Sequence, residues 1–160
     1  MNIKEVKKPN CLDLLPIFME LEEYYFKEDA ASREDLERYL VDKVFSEYSG
    51  IKVIAVYQHD IILGFATFAV LFPAPKLSGQ MYMKDLFVSA QARGKGIGLK
   101  LIKALANIAL QQGCSRLDWT AESTNPSAGH FYHAIGAAQI EEKQYFRLEG
   151  DQLIEFVDHY

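Results

Sequence analysis

Apolar residues recur at helical spacing from Cys11 to Phe26, where Leu14, Leu15, Phe18, Leu21 and Tyr25 share one face. Ser32 opens a second helix, with Asp35 three residues on completing an approximate capping box. Leu36, Tyr39, Leu40 and Val44 supply its apolar side. Elsewhere the chain reads as strands. Ile3 to Lys8 alternates weakly, and Ile51 to Tyr57 is β-branched and aromatic. His59-Asp60 is the expected turn into a strand from Ile61 to Leu71, with Gly64 at a bulge or close approach. Phe72-Pro73-Ala74-Pro75 is expected to break that strand, Lys76 to Gly79 to form a loop, and Gln80 to Ser89 the next strand. Ile97, Leu101, Leu105 and Ile108 line a helix over about Lys95 to Gln112, capped by Gly113. Arg116 to Glu122 reads as a strand and about Pro126 to Ala134 as a short helix ended by Gly136. Ala137 to Ile140 and Gln144 to Leu148 read as a closing hairpin, before a last turn or helix to Val157. This order implies an α/β fold with a mixed, mostly antiparallel central sheet and helices on both faces.

Composition narrows the class. At 160 residues, 49% hydrophobic and 24% charged, residues 1–160 read as a single globular domain. A net charge of −5 argues against general nucleic-acid binding. The acidic cluster Glu20, Glu22, Glu23, Glu28 and Asp29 reads as a solvated face or as a cation-attracting rim beside a site. Cys11 and Cys114 are far apart without metal spacing, which suits reduced intracellular thiols. The charged N-terminus has no apolar stretch behind it, and the run from Ile61 to Pro75 is too short to span a bilayer. A cytoplasmic protein without membrane partners is expected.

Chemistry first shows at Arg93-Gly94-Lys95-Gly96-Ile97-Gly98, between an expected strand and an expected helix. Three alternating glycines leave bare backbone at a helix N-terminus, where N–H groups and the helix dipole favour an anion such as a pyrophosphate. Arg93 and Lys95 add positive charge. The stretch is not a Walker A loop, because Gly94 and Gly98 stand too close and Leu99-Lys100 follows. It is not the dinucleotide fingerprint either, which needs glycine where Leu99 stands. A tight turn without a ligand remains the alternative.

A second constellation, Asn125-Pro126-Ser127-Ala128-Gly129-His130-Phe131-Tyr132 with Gly136-Ala137, follows about thirty residues later. With Arg93, Gly96 and Gly98 behind the strand Lys84-Asp85-Leu86-Phe87-Val88, it makes the chain resemble the GNAT superfamily of acyl-CoA-dependent N-acetyltransferases. The resemblance covers about residues 51 to 149. It is greatest toward the diamine (spermidine/spermine-type) branch, through Asp85-Leu86-Phe87-Val88, Phe131-Tyr132 and Phe146-Arg147-Leu148. Two departures replace that branch's acidic residues: Lys84 stands where a Glu is usual, and Lys143-Gln144-Tyr145-Phe146 where acidic residues precede the final motif. Both weaken the case for a polycationic acceptor.

The resemblance implies an acetyl-CoA co-substrate and, as acceptor, the primary amine of a small molecule (a polyamine, a diamine or an amino-acid-like amine), with direct transfer in a ternary complex. It places the backbone of Gly94, Lys95, Gly96, Ile97, Gly98 and Leu99, with Arg93, on the pyrophosphate. It places Leu86, Phe87 and Val88 along the pantetheine arm like a neighbouring strand, with the Val88 N–H as an oxyanion donor. Asn125 and Ala128 would also hold the coenzyme, although Asn125 reads equally as a helix N-cap before Pro126. Tyr132 is the implied general acid, because a phenol is protonated at neutral pH and can reprotonate a thiolate. Its alternative is a packed aromatic. Asp85 is the candidate base or a structural carboxylate, and Glu122 a weaker base. Lys84 could pair with an acidic group on the acceptor, which would favour an amino-acid-like amine. His59, His130 and His133 lack a third ligand at metal spacing, so no metal is expected. Cys114 and Trp119 read as core, the latter in a central strand. A homodimer is expected from family habit. A protein-lysine acetyltransferase and a non-catalytic acyl-CoA module are the other readings.

Overall fold

A sheet of five strands, β1 (Asn2–Val6), β2 (Lys52–Gln58), β3 (Ile61–Ala74), β4 (Ser78–Val88) and β5 (Cys114–Asp118), runs in sequential order across the first of two compact units. The computed structural model describes residues 1–159, and the units are Met1–Thr120 and the residues from Ala121 onward. The first three strand pairs are antiparallel and β4–β5 is parallel, because a helix connects them. The expected mixed, mostly antiparallel sheet is borne out.

Helix α1 (Leu15–Phe26) follows a tight helical turn at Lys8–Leu14, and α2 (Arg33–Tyr39) runs on into one wide turn at Leu40–Val44. The predicted cap of α2 forms: the Asp35 N–H donates to Ser32 Oγ at 3.1 Å. The Ser32 hydroxyl, followed by Arg38, holds the Asp35 carboxyl below its usual pKa. Helix α3 (Ile97–Gln111) buries Ile97, Leu101, Ile102, Leu105 and Ala109, the stripe that its period predicts.

Neighbouring side chains on β3 show that the helices cover both faces. Phe65 stacks on Phe18 of α1 at 4.8 Å between ring centroids. A Cβ at Gly64, the adjacent residue, would meet Ile97 Cγ2 of α3 at 2.9 Å and the Phe87 carbonyl at 3.0 Å. Successive strand residues face opposite ways, so α1 and α3 lie on opposite faces, and Gly64 is a required close approach. The core on the α1 face gathers Val6, Leu14, Leu15, Phe18, Leu40, Val53, Ala55, Phe65 and Phe87.

Four expectations are corrected. β3 does not break at Phe72 but continues to Ala74, its pairing with β4 skipping the cis Phe72–Pro73 segment and resuming at Ala74–Ser78. A proline cannot donate to the ladder, and here it sits where the ladder is interrupted. β4 accordingly begins at Ser78 rather than Gln80. β5 starts at Cys114 and stops at Asp118, and it is the sheet's edge, so Trp119 is half-buried beyond it instead of central core. The predicted hairpin over 137–148 forms no strand among the described residues. Local alternation supplies the pattern for a strand but not the partner that satisfies its backbone.

In the second unit, α4 (Pro126–Ala134) begins at an Asn125 cap, whose Oδ1 accepts from the Ala128 N–H at 3.2 Å. It ends in a turn through Gly136 at φ +88°. Helix α5 (Asp151–His159) extends beyond the predicted Val157. No described residue from Ala121 onward is buried.

Candidate active site

β4 pairs with β5 only over Gly79–Tyr82, yet with β3 as far as Val88. The paired stretch is locked from the side: Gln80 Nε2 donates to Asp118 Oδ2 at 2.6 Å, and Arg116 Nη2 donates to Gln80 Oε1 at 3.1 Å. Beyond Tyr82 the two strands part, leaving the outer edge of residues 83–88 without a strand neighbour among the described residues. The Ser89 N–H donates to the Leu63 carbonyl at 2.9 Å, toward β3. Backbone groups alternate along a strand, so the N–H groups of Val88 and Leu86 point into the open gap.

A bulge marks the start of this open half. Thr67 opposes Asp85 and Phe68 opposes Met83, which leaves Lys84 as the extra residue. The insertion reverses which residues face which helix. Met81 and Met83 pair with Val70 and Phe68 on the α3 face, whereas Asp85 and Phe87 pair with Thr67 and Phe65 on the α1 face. Asp85 is thereby aimed to the same side as α1. The buried Thr67 hydroxyl donates to Asp85 Oδ2, and Lys84 Nζ lies 3.8 Å from Asp85 Oδ1. The Lys84 side chain is 63% exposed.

The chain then turns through Ala90–Ala92 into the glycine loop. Gly94 and Gly96 both adopt φ +74°, a conformation that costs side-chain-bearing residues about 1–2 kcal/mol, and Gly96 is the N-cap of α3. A Cβ at either would meet nothing, so these glycines serve the turn and leave open space outside it. Arg93 Nε donates to the Val88 carbonyl at 3.2 Å, and Lys95 Nζ donates to the Gln91 carbonyl at 3.0 Å. Neither cation makes an ion pair with a carboxylate among the described residues. The first amides of α3 have no helical partner, so two cations and a helix N-terminus converge on one exposed loop. Ile97 and Phe87 are buried, so each can face a ligand only through its backbone.

The structure thus gathers Asp85, Leu86, Phe87, Val88, Arg93, Gly94, Lys95, Gly96, Ile97, Gly98 and Leu99 along one strand–loop–helix path. Asn125, Ala128 and Tyr132 belong to the second unit. There Phe131 and Tyr132 lie 5.4 Å apart between ring centroids on α4, and Tyr132 is half-buried. Glu122 lies outside any strand, in the turn before α4. Among the described residues no group of three His, Cys, Asp or Glu side chains could hold a metal. Sequence reasoning missed Thr67 and the bulge. A buried threonine in an apolar strand was the available signal for the first, and the second has none in the local pattern.

Comparison with known proteins agrees with this geometry. The sequence profile of the acetyltransferase (GNAT) family matches residues 14–137. The chain is 29% identical over 164 residues to the thialysine N-epsilon-acetyltransferase of Bos taurus, covering 96% of this chain and 95% of that protein. It is 30% identical over 119 residues to the L-ornithine N5-acetyltransferase of Arabidopsis thaliana, covering 74% of this chain and 52% of that protein. Among solved structures, an integron cassette protein from the mobile metagenome of V. cholerae is 63% identical, with a TM-score of 0.96 over 98% of this chain and 96% of that one. The family expected from the motifs is borne out.

Proposed function

The chain belongs to the acetyltransferase (GNAT) family and is an N-acetyltransferase, and from that premise we propose that it moves an acetyl group from acetyl-CoA to the primary amine of a small amino-acid-like molecule. Transfer is direct, in a ternary complex. The observation that carries this reading is the one-sided half of β4, flanked by the Lys84 bulge at one end and the glycine loop at the other. The unpaired cations Arg93 and Lys95 and the free amides of α3 suit a pyrophosphate. The outward amides of Leu86 and Val88 suit an extended amide-bearing arm. Asn125 spends its Oδ1 on the Ala128 N–H, which leaves its amide N–H groups to donate to the coenzyme.

The thioester supplies the acyl carbon and a thiolate leaving group. Asp85 takes a proton from the incoming ammonium, and the freed amine forms the new C–N bond as the C–S bond breaks. The Val88 N–H donates to the oxygen on which negative charge develops, a contact worth about 3–4 kcal/mol in a comparable site. Tyr132 gives a proton to the leaving thiolate, and the second proton that the nitrogen loses as the amide forms goes back to the phenolate. Lys84, exposed beside Asp85, receives a carboxylate on the acceptor, so the two side chains together read a zwitterion. Relatives named for thialysine and ornithine support that acceptor class.

The chain acts as one domain, since the family profile runs across the boundary between the units. It works in the cytoplasm, in keeping with free buried Cys11 and Cys114. Among the described residues no helix is long and apolar enough to cross a membrane. It works as a homodimer, whose second copy would cover the exposed Ile140, Tyr145, Phe146 and Leu148.

Thiol release from acetyl-CoA, measured against amino acids with side-chain amines, polyamines, other small amines and a lysine peptide, tests the reading. Saturable turnover on the amino acids is expected. Preference for polyamines would remove Lys84 from its role. Preference for the peptide would reassign the acceptor to protein. Coenzyme binding without turnover on any of them would make the chain a regulatory module. Tyr132→Phe is expected to lower turnover at least about tenfold while coenzyme affinity holds, and unchanged turnover would remove Tyr132 as the acid.

A further inference from the structure

The acidic stretch of α1 reaches the glycine loop. Glu20 is half-buried, and its Oε1 accepts from the Ala90 N–H at 2.7 Å, a contact between residues 70 apart in sequence. Ala90 opens the short turn that delivers Arg93. Tyr24 stands one helical turn after Glu20, on the same side of α1. Its ring lies 5.3 Å from the Arg93 guanidinium, with the Phe87 ring 5.8 Å from the same group. The two rings are themselves 6.3 Å apart, edge to face. With the bond from Arg93 Nε to the Val88 carbonyl, the guanidinium has three supports, none of them an anion.

These contacts orient Arg93 without neutralising it. Aromatic faces hold a guanidinium in place while leaving its outer N–H groups to donate. Glu20 directs its carboxylate to the Ala90 N–H, where a charge-assisted bond fixes the turn. Glu22, another member of the acidic cluster, accepts from the Ala31 N–H at 3.1 Å. Part of the acidic face therefore braces backbone, where the sequence pattern suggested only a solvated surface or a rim for cations.

We propose that Glu20 and Tyr24 are positioning residues for the phosphate end of the coenzyme. They hold the Ala90–Gly96 turn and the Arg93 guanidinium in the receiving conformation before binding, which removes an ordering cost from the binding step. The proposal rests on the coenzyme reading of the glycine loop.

Titration calorimetry with coenzyme A and with pantetheine, which lacks the phosphates, separates the possibilities. The proteins compared are the unaltered chain, Glu20→Gln, Glu20→Ala, Tyr24→Leu and Tyr24→Phe, each with its melting temperature recorded. Tyr24→Leu and Glu20→Ala are expected to weaken coenzyme A about 5–20-fold and to leave pantetheine within twofold. Tyr24→Phe, which keeps the ring, should restore affinity, and Glu20→Gln, which keeps an acceptor oxygen, should fall between. Equal losses for both ligands would overturn the proposal in favour of general destabilisation. Tighter coenzyme binding by Glu20→Gln would overturn it by showing that the carboxylate repels phosphate. Coenzyme binding by the unaltered chain with no loss in any variant would overturn this proposal alone. No binding by the unaltered chain would overturn the coenzyme reading, and the proposal with it.

Discussion

One strand of this protein has two halves with opposite fates. From Gly79 to Tyr82, β4 is hydrogen-bonded on both sides, and Met81 is 0% exposed between the layers. From Met83 to Val88 it keeps β3 but has no strand neighbour on its other edge among the described residues. The first half has its backbone groups satisfied by protein and can only support the fold. The second half presents outward amides beside a cationic loop and can accept a ligand. The two halves differ less in composition than in where β5 ends and where Lys84 is inserted. The lesson is that an open strand edge is made by stopping a pairing, and that a single bulge can change the face to which a carboxylate belongs.

The most drastic way to break this comparison is to delete Lys84. Without the extra residue, β4 alternates without interruption, and either Met81 and Met83 or Phe87 must leave the core face that it occupies. The deletion is expected to cost more stability than any single truncation in the strand, and to remove the cooperative unfolding transition in a urea titration. Met81→Ala comes next. It should cost about 2–5 kcal/mol in the same titration, through lost burial and a residual cavity. A loss below about 1 kcal/mol would show that the doubly paired half is not the rigid one.

Asp85→Ala sharpens the other side. Turnover should fall about 100-fold or more, as for loss of a general base, while the unfolding midpoint moves far less than for Met81→Ala. The reverse pattern would make Asp85 a structural carboxylate held by Thr67. The smallest effect lies off β4 and serves as its control. Burial, followed by the Asp13 carboxylate, pushes the Tyr57 phenol up to about 12, and its hydroxyl bonds Asp13 at 3.2 Å. A phenol whose pKa is raised in the folded state contributes stability that is full below about pH 10, its unfolded value. That contribution is lost as pH rises through 12. Tyr57→Phe should flatten alkaline unfolding in that window and leave turnover at neutral pH unchanged.

Much of this was legible in the residues. The Ser32 and Asn125 caps, the turns at Gly94, Gly96, Gly113 and Gly136, and the stripe of α3 are local devices, each satisfied within a few residues of itself. Gly64 was legible as a bulge or a close approach because a bare Cα in an apolar strand has few other uses, and the structure shows a close approach beside a register shift. The misses share a cause. The passage of β3 through Pro73, the edge position of β5 and the absence of strands in 137–148 all depend on which backbone groups meet across the chain. Asp85 was legible as a candidate by its type and its neighbours. Its orientation was not, because that depends on a pairing count between Thr67 and Lys84.

By itself the sequence determined the types of most elements before residue 137, the glycine loop at a helix start, the two motifs and the family. These are local backbone preferences and residue chemistries that need no partner to be expressed. Only the tertiary structure decided that β5 releases β4 after Tyr82, that the Lys84 bulge turns Asp85 toward α1, and that Glu20 and Tyr24 reach Ala90 and Arg93. These are long-range contacts, set by which strand edges and helix faces pack together. No period or cap encodes them, because the energy that fixes them exists only once both partners are in place.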